Sequence, residues 1–93
     1  KLYGGSGDDI LWGGSGKDDL FGGSGKDIFK LTKGSGYDRI RDFKKGEDKI
    51  NFQGFDNIRI VRNGYHSNIF NGGDLLAMVY NENDIFASGN YLI

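Results

Sequence analysis

The chain has 93 residues, with 12 basic and 13 acidic side chains and a formal charge of −1. That length points to one small domain with a limited core. The near-neutral balance offers neither a basic patch for nucleic acid nor an acidic tail, and no apolar run approaches the ~18 residues of a membrane span. There is no Cys and no Pro, and 11 of the 17 Gly fall in residues 1–36. A half so rich in glycine loses much entropy on folding and, without disulfides, needs some other staple.

In chain order, Lys1-Leu2-Tyr3 fits the last three positions of a nine-residue unit whose turn is missing. Complete units follow at Gly4 (GGSGDDILW), Gly13 (GGSGKDDLF) and Gly22 (GGSGKDIFK), and a looser copy, GSGYD, runs from Gly34 to Asp38. Leu31-Thr32-Lys33 replaces the expected opening glycine of that copy, so Asp27 and Asp38 are eleven residues apart instead of nine. The glycines permit a tight turn with its carbonyls on one side, and Asp9, Asp18, Asp27 and Asp38 each add a carboxylate. Oxygen donors at this spacing suit calcium, a hard cation that takes roughly six to eight of them. One turn cannot fill that shell, whereas two stacked turns can.

Each turn leads into a strand-like triplet, and alternation places Leu2, Leu11, Leu20 and Phe29 on one face. Nine residues therefore make half a coil. Copy one is expected to stack on copy three and copy two on copy four, with the apolar residues filling a thin interior between two parallel sheets. A flexible Gly-Ser linker would not place Leu or Phe two residues after each Asp. Asp8 and Asp19 stand at positions that vary between copies and read as solvated carboxylates.

Arg39 to Phe43 alternates as a strand, with Ile40 at the buried position of the fourth copy. Lys44 to Asp48 reads as a polar turn and Lys49 to Phe52 as a further strand. Residues 54–93 lose the nine-residue period. Strands are expected at Ile58–Val61, Ser67–Phe70, Leu75–Tyr80 and Asn90–Ile93. Turns are expected at Asn63-Gly64 and at Asn71 to Asp74, and a single helical turn at Asn83 to Ala87. The expected organisation is a parallel roll over 1–53 and an antiparallel β cap over 54–93 that covers the roll's open edge.

The three matching units, together with DRIRDFKKGEDKINFQGF after them, resemble the RTX, or hemolysin-type, calcium-binding repeat family over residues 1 to about 53. The resemblance implies an all-β fold, a parallel β-roll of two short sheets with calcium in the turns. It implies three ligand sets. The first is Gly5, Gly7, Asp9, Gly22, Ser24 and Asp27, with the glycines and Ser24 giving backbone carbonyls. The second is Gly14, Gly16, Asp18, Lys33, Ser35 and Asp38. The third is partial: Gly23, Gly25 and Asp27 with Asp42. It further implies a secreted, extracellular bacterial protein whose module folds on Ca2+ outside the cell, with type I secretion machinery and an upstream domain of the same parent chain as partners. A parent that is a secreted metalloprotease, lipase or polysaccharide-modifying enzyme, or a cell-surface adhesin, stays open, and the array begins as though cut from a longer protein.

Other chemistry is poorly supported. His66 is the only histidine and lies near a turn with no Cys or second His, which suits neither zinc nor a catalytic base. Ser6, Ser15, Ser24 and Ser35 recur because the turn wants a small residue, and the GGSGKD runs lack phosphate-loop spacing. No catalytic residue is expected in this segment. Tyr3, Trp12 and Phe21 should face outward, either shielding neighbouring strands or forming a surface-contacting strip.

Overall fold

The structure is a computed structural model that describes residues 1–31 and 36–93. Among these residues there are strands and no helix. The repeats give β1 (Leu2–Tyr3), β2 (Ile10–Leu11), β3 (Asp18–Phe21), β4 (Ile28–Lys30), β5 (Asp38–Ile40) and β6 (Lys49–Asn51). The remainder gives β7 (Ile58–Asn63), β8 (His66–Asn71), β9 (Asp74–Val79), β10 (Ala87–Ser88) and β11 (Tyr91–Leu92).

The strands alternate between two sheets, ordered β1-β3-β5-β9-β8-β7 and β10-β11-β6-β4-β2. Each repeat thus supplies a strand to one sheet and the next repeat a strand to the other. Parallel pairing sets Ile10 opposite Ile28 and Leu11 opposite Phe29 in one sheet, and Leu2 opposite Leu20 and Asp18 opposite Asp38 in the other. This is the expected stacking of copy one on three and of two on four, in a parallel β-roll.

The apolar position of each unit points inward. Leu11, Phe29, Ile50 and Leu92 from one sheet meet Leu20, Ile40, Ile69, Ala77 and Val79 from the other, all buried in one continuous core. Phe43 closes the side of this core against Phe29, ring centroids 6.3 Å apart. Burial of this apolar surface is the main favourable term in so thin a roll, at ~25 cal/mol per Å². Position nine points outward. Tyr3 is 63% exposed and Trp12 59%, and Tyr3 stacks on Phe21 at 4.7 Å. Leu2 is 37% exposed because β1 is the edge strand.

The later strands extend both sheets. β7 and β8 form an antiparallel hairpin, and β8 pairs antiparallel with β9. β9 itself lies parallel to β5, with Ile40 opposite Val79, so the segment expected to be wholly antiparallel joins the roll by a parallel seam. β11 pairs antiparallel with β6, and β10 with β11. Two local expectations are corrected. Asn63 pairs with His66, so the two turn residues are Gly64 and Tyr65, one position later than expected. The helical turn at residues 83–87 is not formed. Phe86 and Ile93 instead exchange both backbone hydrogen bonds, at 3.1 and 3.0 Å, and Ile85 is buried in the core. Sheet pairing plus burial outweighs a cap that a helix this short could not exploit.

Candidate metal centre

Two columns of turns flank the roll. Turns 4–9, 22–27 and 43–48 stack on one side, and turn 13–18 stacks on the turn ending at Asp38 on the other. The stacking is close enough to require glycine. Gly23 and Gly25 hold φ of 80° and 95°, and a methyl group on either would collide with the carbonyl of Gly5 or Gly7 in the turn above. In the second column a methyl on Gly36 would strike the carbonyl of Gly16 in the same way.

The aspartates form a ladder along the first column. The backbone N–H of Asp9 donates to Asp27 Oδ1, and that of Asp27 donates to Asp48 Oδ1, each at 2.9 Å. These bonds engage one oxygen of Asp27 and orient the other. Asp9 Oδ2, Asp18 Oδ2, Asp27 Oδ2 and Asp38 Oδ1 are all buried with no hydrogen-bond partner among the described residues. A buried polar atom left unpaired costs ~1–3 kcal/mol, and more when charged, so four such atoms in one small domain need a partner of opposite sign.

The orphaned oxygens of Asp18 and Asp38 converge on one glycine-lined cradle, while Asp9 Oδ2 lies at another beside a carbonyl of the next turn in its column. A Cβ on Gly4 would stand 2.8 Å from both Asp9 Oδ2 and the Gly22 carbonyl. One on Gly13 would stand 2.7 Å from Asp38 Oδ1 and 3.0 Å from Asp18 Oδ2. Only glycine leaves this space open. Burial, then the neighbouring Asp18 charge, pushes the Asp38 carboxyl up to about 7. Asp27 is likewise raised, chiefly by burial, with the charges of Asp48, Asp9 and Asp42 adding to it against the lowering effect of the Asp9 N–H. Among the described residues no group of three or more His, Cys, Asp or Glu converges. Any shell here must combine two carboxylates with backbone carbonyls. Such an all-oxygen donor set suits a hard cation such as calcium and not zinc or copper.

The residues of the first expected set lie in two stacked turns. Gly5 and Gly7 present their carbonyls to the turn that holds Gly22 and Asp27, the Gly22 carbonyl meets Asp9, and Ser24 lies exposed in that same turn. Of the second set, Asp18 and Asp38 converge as described, with Gly14 and Gly16 in the turn of Asp18. Lys33 and Ser35 lie outside the described residues. The third set is arranged differently. Both Asp42 oxygens are taken by backbone donors, Oδ1 by Gly22 N–H at 2.8 Å and Oδ2 by Gly23 N–H at 2.9 Å. The Gly23 carbonyl accepts the Lys44 ammonium at 2.7 Å.

With this geometry in hand, the comparison with known families is direct. Residues 1–29 match the family described as RTX calcium-binding nonapeptide repeat (4 copies). These residues are RTX repeats. RTX nonapeptide repeats bind calcium. No curated protein matches the chain.

The same turn geometry continues past the matched residues. Asp48 occupies the rung after Asp27, Ile28 lies opposite Lys49 and Phe29 opposite Ile50, and Gly46 holds φ of 92° where Gly25 stands one coil earlier. Asp48 was missed in the sequence because Lys44 to Asp48 reads as an ordinary polar turn. The signal was the spacing Gly46-x-Asp48-x-Ile50, which repeats Gly25-x-Asp27-x-Phe29. Of the variable-position carboxylates, Asp8 accepts the Lys26 N–H at 2.7 Å. Asp19 is ion-paired with Arg39 at 2.8 Å and lies 3.7 Å from Arg41, so it is partnered on the outer face and not simply solvated. His66 accepts the Asn81 N–H through Nδ1 at 2.9 Å and packs against Tyr80, a structural use.

Proposed function

We propose that this chain is a calcium-dependent folding module that is assembled outside the cell and supports the export and stability of the protein that carries it. The observation that carries the reading is that buried aspartate oxygens without a donor line the stacked turns, Asp18 and Asp38 converging at Gly13 and Asp9 meeting the Gly22 carbonyl at Gly4. Asp9 and Asp27, with carbonyls of Gly5, Gly7, Gly22 and Ser24, form one site. Asp18 and Asp38, with carbonyls of Gly14, Gly16, Lys33 and Ser35, form the other.

The chain's own residues make the coupling. Without a counter-charge, Asp18 and Asp38 oxygens meet at Gly13 and the charge of Asp9 acts on buried Asp27, so each column opposes its own stacking. The glycines that make the cradles possible also favour the unfolded chain. Bound calcium supplies the positive charge that both carboxylates lack. Because the donors of a site come from two turns, binding free energy becomes folding free energy. At free calcium tenfold above the dissociation constant, mass action gives about 1.4 kcal/mol per site, a large fraction of a small domain's stability.

RTX repeat proteins are typically secreted. An array that stays unfolded where calcium is scarce and folds where it is plentiful fits the type I route, with an upstream domain of the same chain and the secretion machinery as partners. The roll over 1–53 is the calcium-responsive unit in this reading, and 54–93 is the cap that completes both sheets. The role is structural, not catalytic. Circular dichroism tests it: β-structure should rise sharply when millimolar calcium is added to chelator-treated protein at neutral pH. A spectrum that calcium leaves unchanged would refute the proposal.

A further inference from the structure

The last turn of the first column is wired differently from those before it. Among the described residues, Asp9, Asp18, Asp27 and Asp38 each keep an oxygen without a donor. Asp42 and Asp48, the acids of the closing coil, keep none. Asp42 accepts from Gly22 N–H and Gly23 N–H. Asp48 accepts from Asp27 N–H at 2.9 Å and from Lys44 N–H at 2.8 Å. The Gly23 carbonyl, whose counterpart Gly5 belongs to a cation site one coil earlier, accepts the Lys44 ammonium at 2.7 Å. Five oxygens that could have faced a cation therefore each have a donor from the chain.

Lys44 also sits at the right place in the repeat. With Asp48 on the rung after Asp27, Lys44 falls where Gly23 falls in the preceding turn. Its side chain runs back to that glycine's carbonyl. A Lys ammonium is a compact cation with three donors and no acceptor, so it presents the same face to a carbonyl as a metal ion does.

We infer that Lys44 is a built-in cation that terminates the calcium column, so that the array binds two calcium ions and its closing coil is held without one. This rests on the calcium-dependent reading and extends it to ion number and to the order of folding. The closing coil, with β6 and β11 behind it, is the part of the roll that tolerates low calcium. The coils of Asp9, Asp18, Asp27 and Asp38 are added to it as calcium rises.

The test is calcium stoichiometry by isothermal titration calorimetry together with the calcium midpoint of folding, on wild type, Lys44→Met, Lys44→Arg and, as control, the neighbouring Lys45→Met. The expected result is two ions for the wild type. Lys44→Met should raise the midpoint several-fold, because the Gly23 carbonyl loses its positive partner while the aliphatic stem is kept. Lys44→Arg should restore much of it, and Lys45→Met should leave it within about twofold. Three ions bound by the wild type, or equal midpoints for Lys44→Met and Lys45→Met, would overturn the inference and leave calcium-dependent folding standing. No calcium bound by the wild type would instead remove the reading beneath it. If Lys44→Met does not fold at any calcium concentration, the wild-type ion count still decides: two supports the inference and three overturns it.

Discussion

Asp27 takes the backbone N–H of Asp9 on one carboxylate oxygen, at 2.9 Å, and leaves the other buried with no donor. The hydrogen bond ties the two coils together, and the second oxygen lies against Gly22 of its own turn. The same residue passes its own N–H to Asp48, which makes it the middle rung of the column.

Replacing Asp27 should therefore be more damaging than replacing any exposed acid. Asp27→Asn removes the charge and keeps the size. Loss of an interaction with a charged group is worth ~1.5–3 kcal/mol, so the calcium midpoint of folding should rise by about tenfold or more. Asp84→Ala, at an exposed position in the cap, should not shift it. Calcium titrations followed by circular dichroism compare the two directly, and equal shifts would mean that the ligand assignment is wrong.

Acid should weaken calcium binding. The Asp38 carboxyl is raised from its usual 3.8 to about 7, so below that pH a proton must leave before the carboxylate can serve a cation. Apparent affinity at pH 6 should be about tenfold lower than at pH 8 if this one group dominates. For the calcium-free fold the sign is reversed. A carboxyl with a raised folded-state pKa contributes stability that is present at low pH and is lost as pH rises through about 7. Chelator-treated protein should accordingly show more residual structure near pH 4 than at pH 8.

Gly23 and Gly54 share a positive φ, 80° and 95°, but only Gly23 faces another backbone. Gly54→Ala meets no atom within 4 Å and should cost only about 1–2 kcal/mol from the left-handed conformation. Gly23→Ala adds a collision with the Gly5 carbonyl and should prevent stacking of the first and third turns. Thermal melts in saturating calcium should separate them, with Gly23→Ala much the lower.

The core makes a different demand. Phe29 is completely buried at the centre of the roll, and Phe29→Ala should cost about 3–5 kcal/mol. That exceeds what two calcium sites are expected to add at tenfold excess, so the variant should stay largely unfolded in millimolar calcium. Trp12→Phe, at an exposed outer position, should change stability by no more than about 0.5 kcal/mol.

The sequence made the roll legible because its period carries two signals at once. Gly-x-Asp marks the turn, and Leu11, Leu20 and Phe29 mark the buried face two residues later. Together they specify the stacking of alternate copies and the inward residues without reference to tertiary structure. The cap was readable only as separate strands. Nothing in Leu75 to Tyr80 states that β9 will pair parallel with β5, because that partner is chosen by the free edge the roll leaves. The Asn83 to Ala87 helical turn was misread because a capping residue was weighed without the sheet pairing of Phe86 with Ile93. The family resemblance implied Asp42 for a partial third site, and in the structure its oxygens accept backbone N–H groups. Which donor reaches a carboxylate depends on where Gly22, Gly23 and Lys44 sit in space, and no periodicity encodes that.

The most direct test of the account is a crystal structure grown in calcium, with anomalous difference density used to locate the ions. Peaks between Asp9 and Asp27 and between Asp18 and Asp38, at 2.3–2.6 Å from their oxygens, are the predicted result. Well-ordered turns with no density between those aspartates, in millimolar calcium, would contradict it.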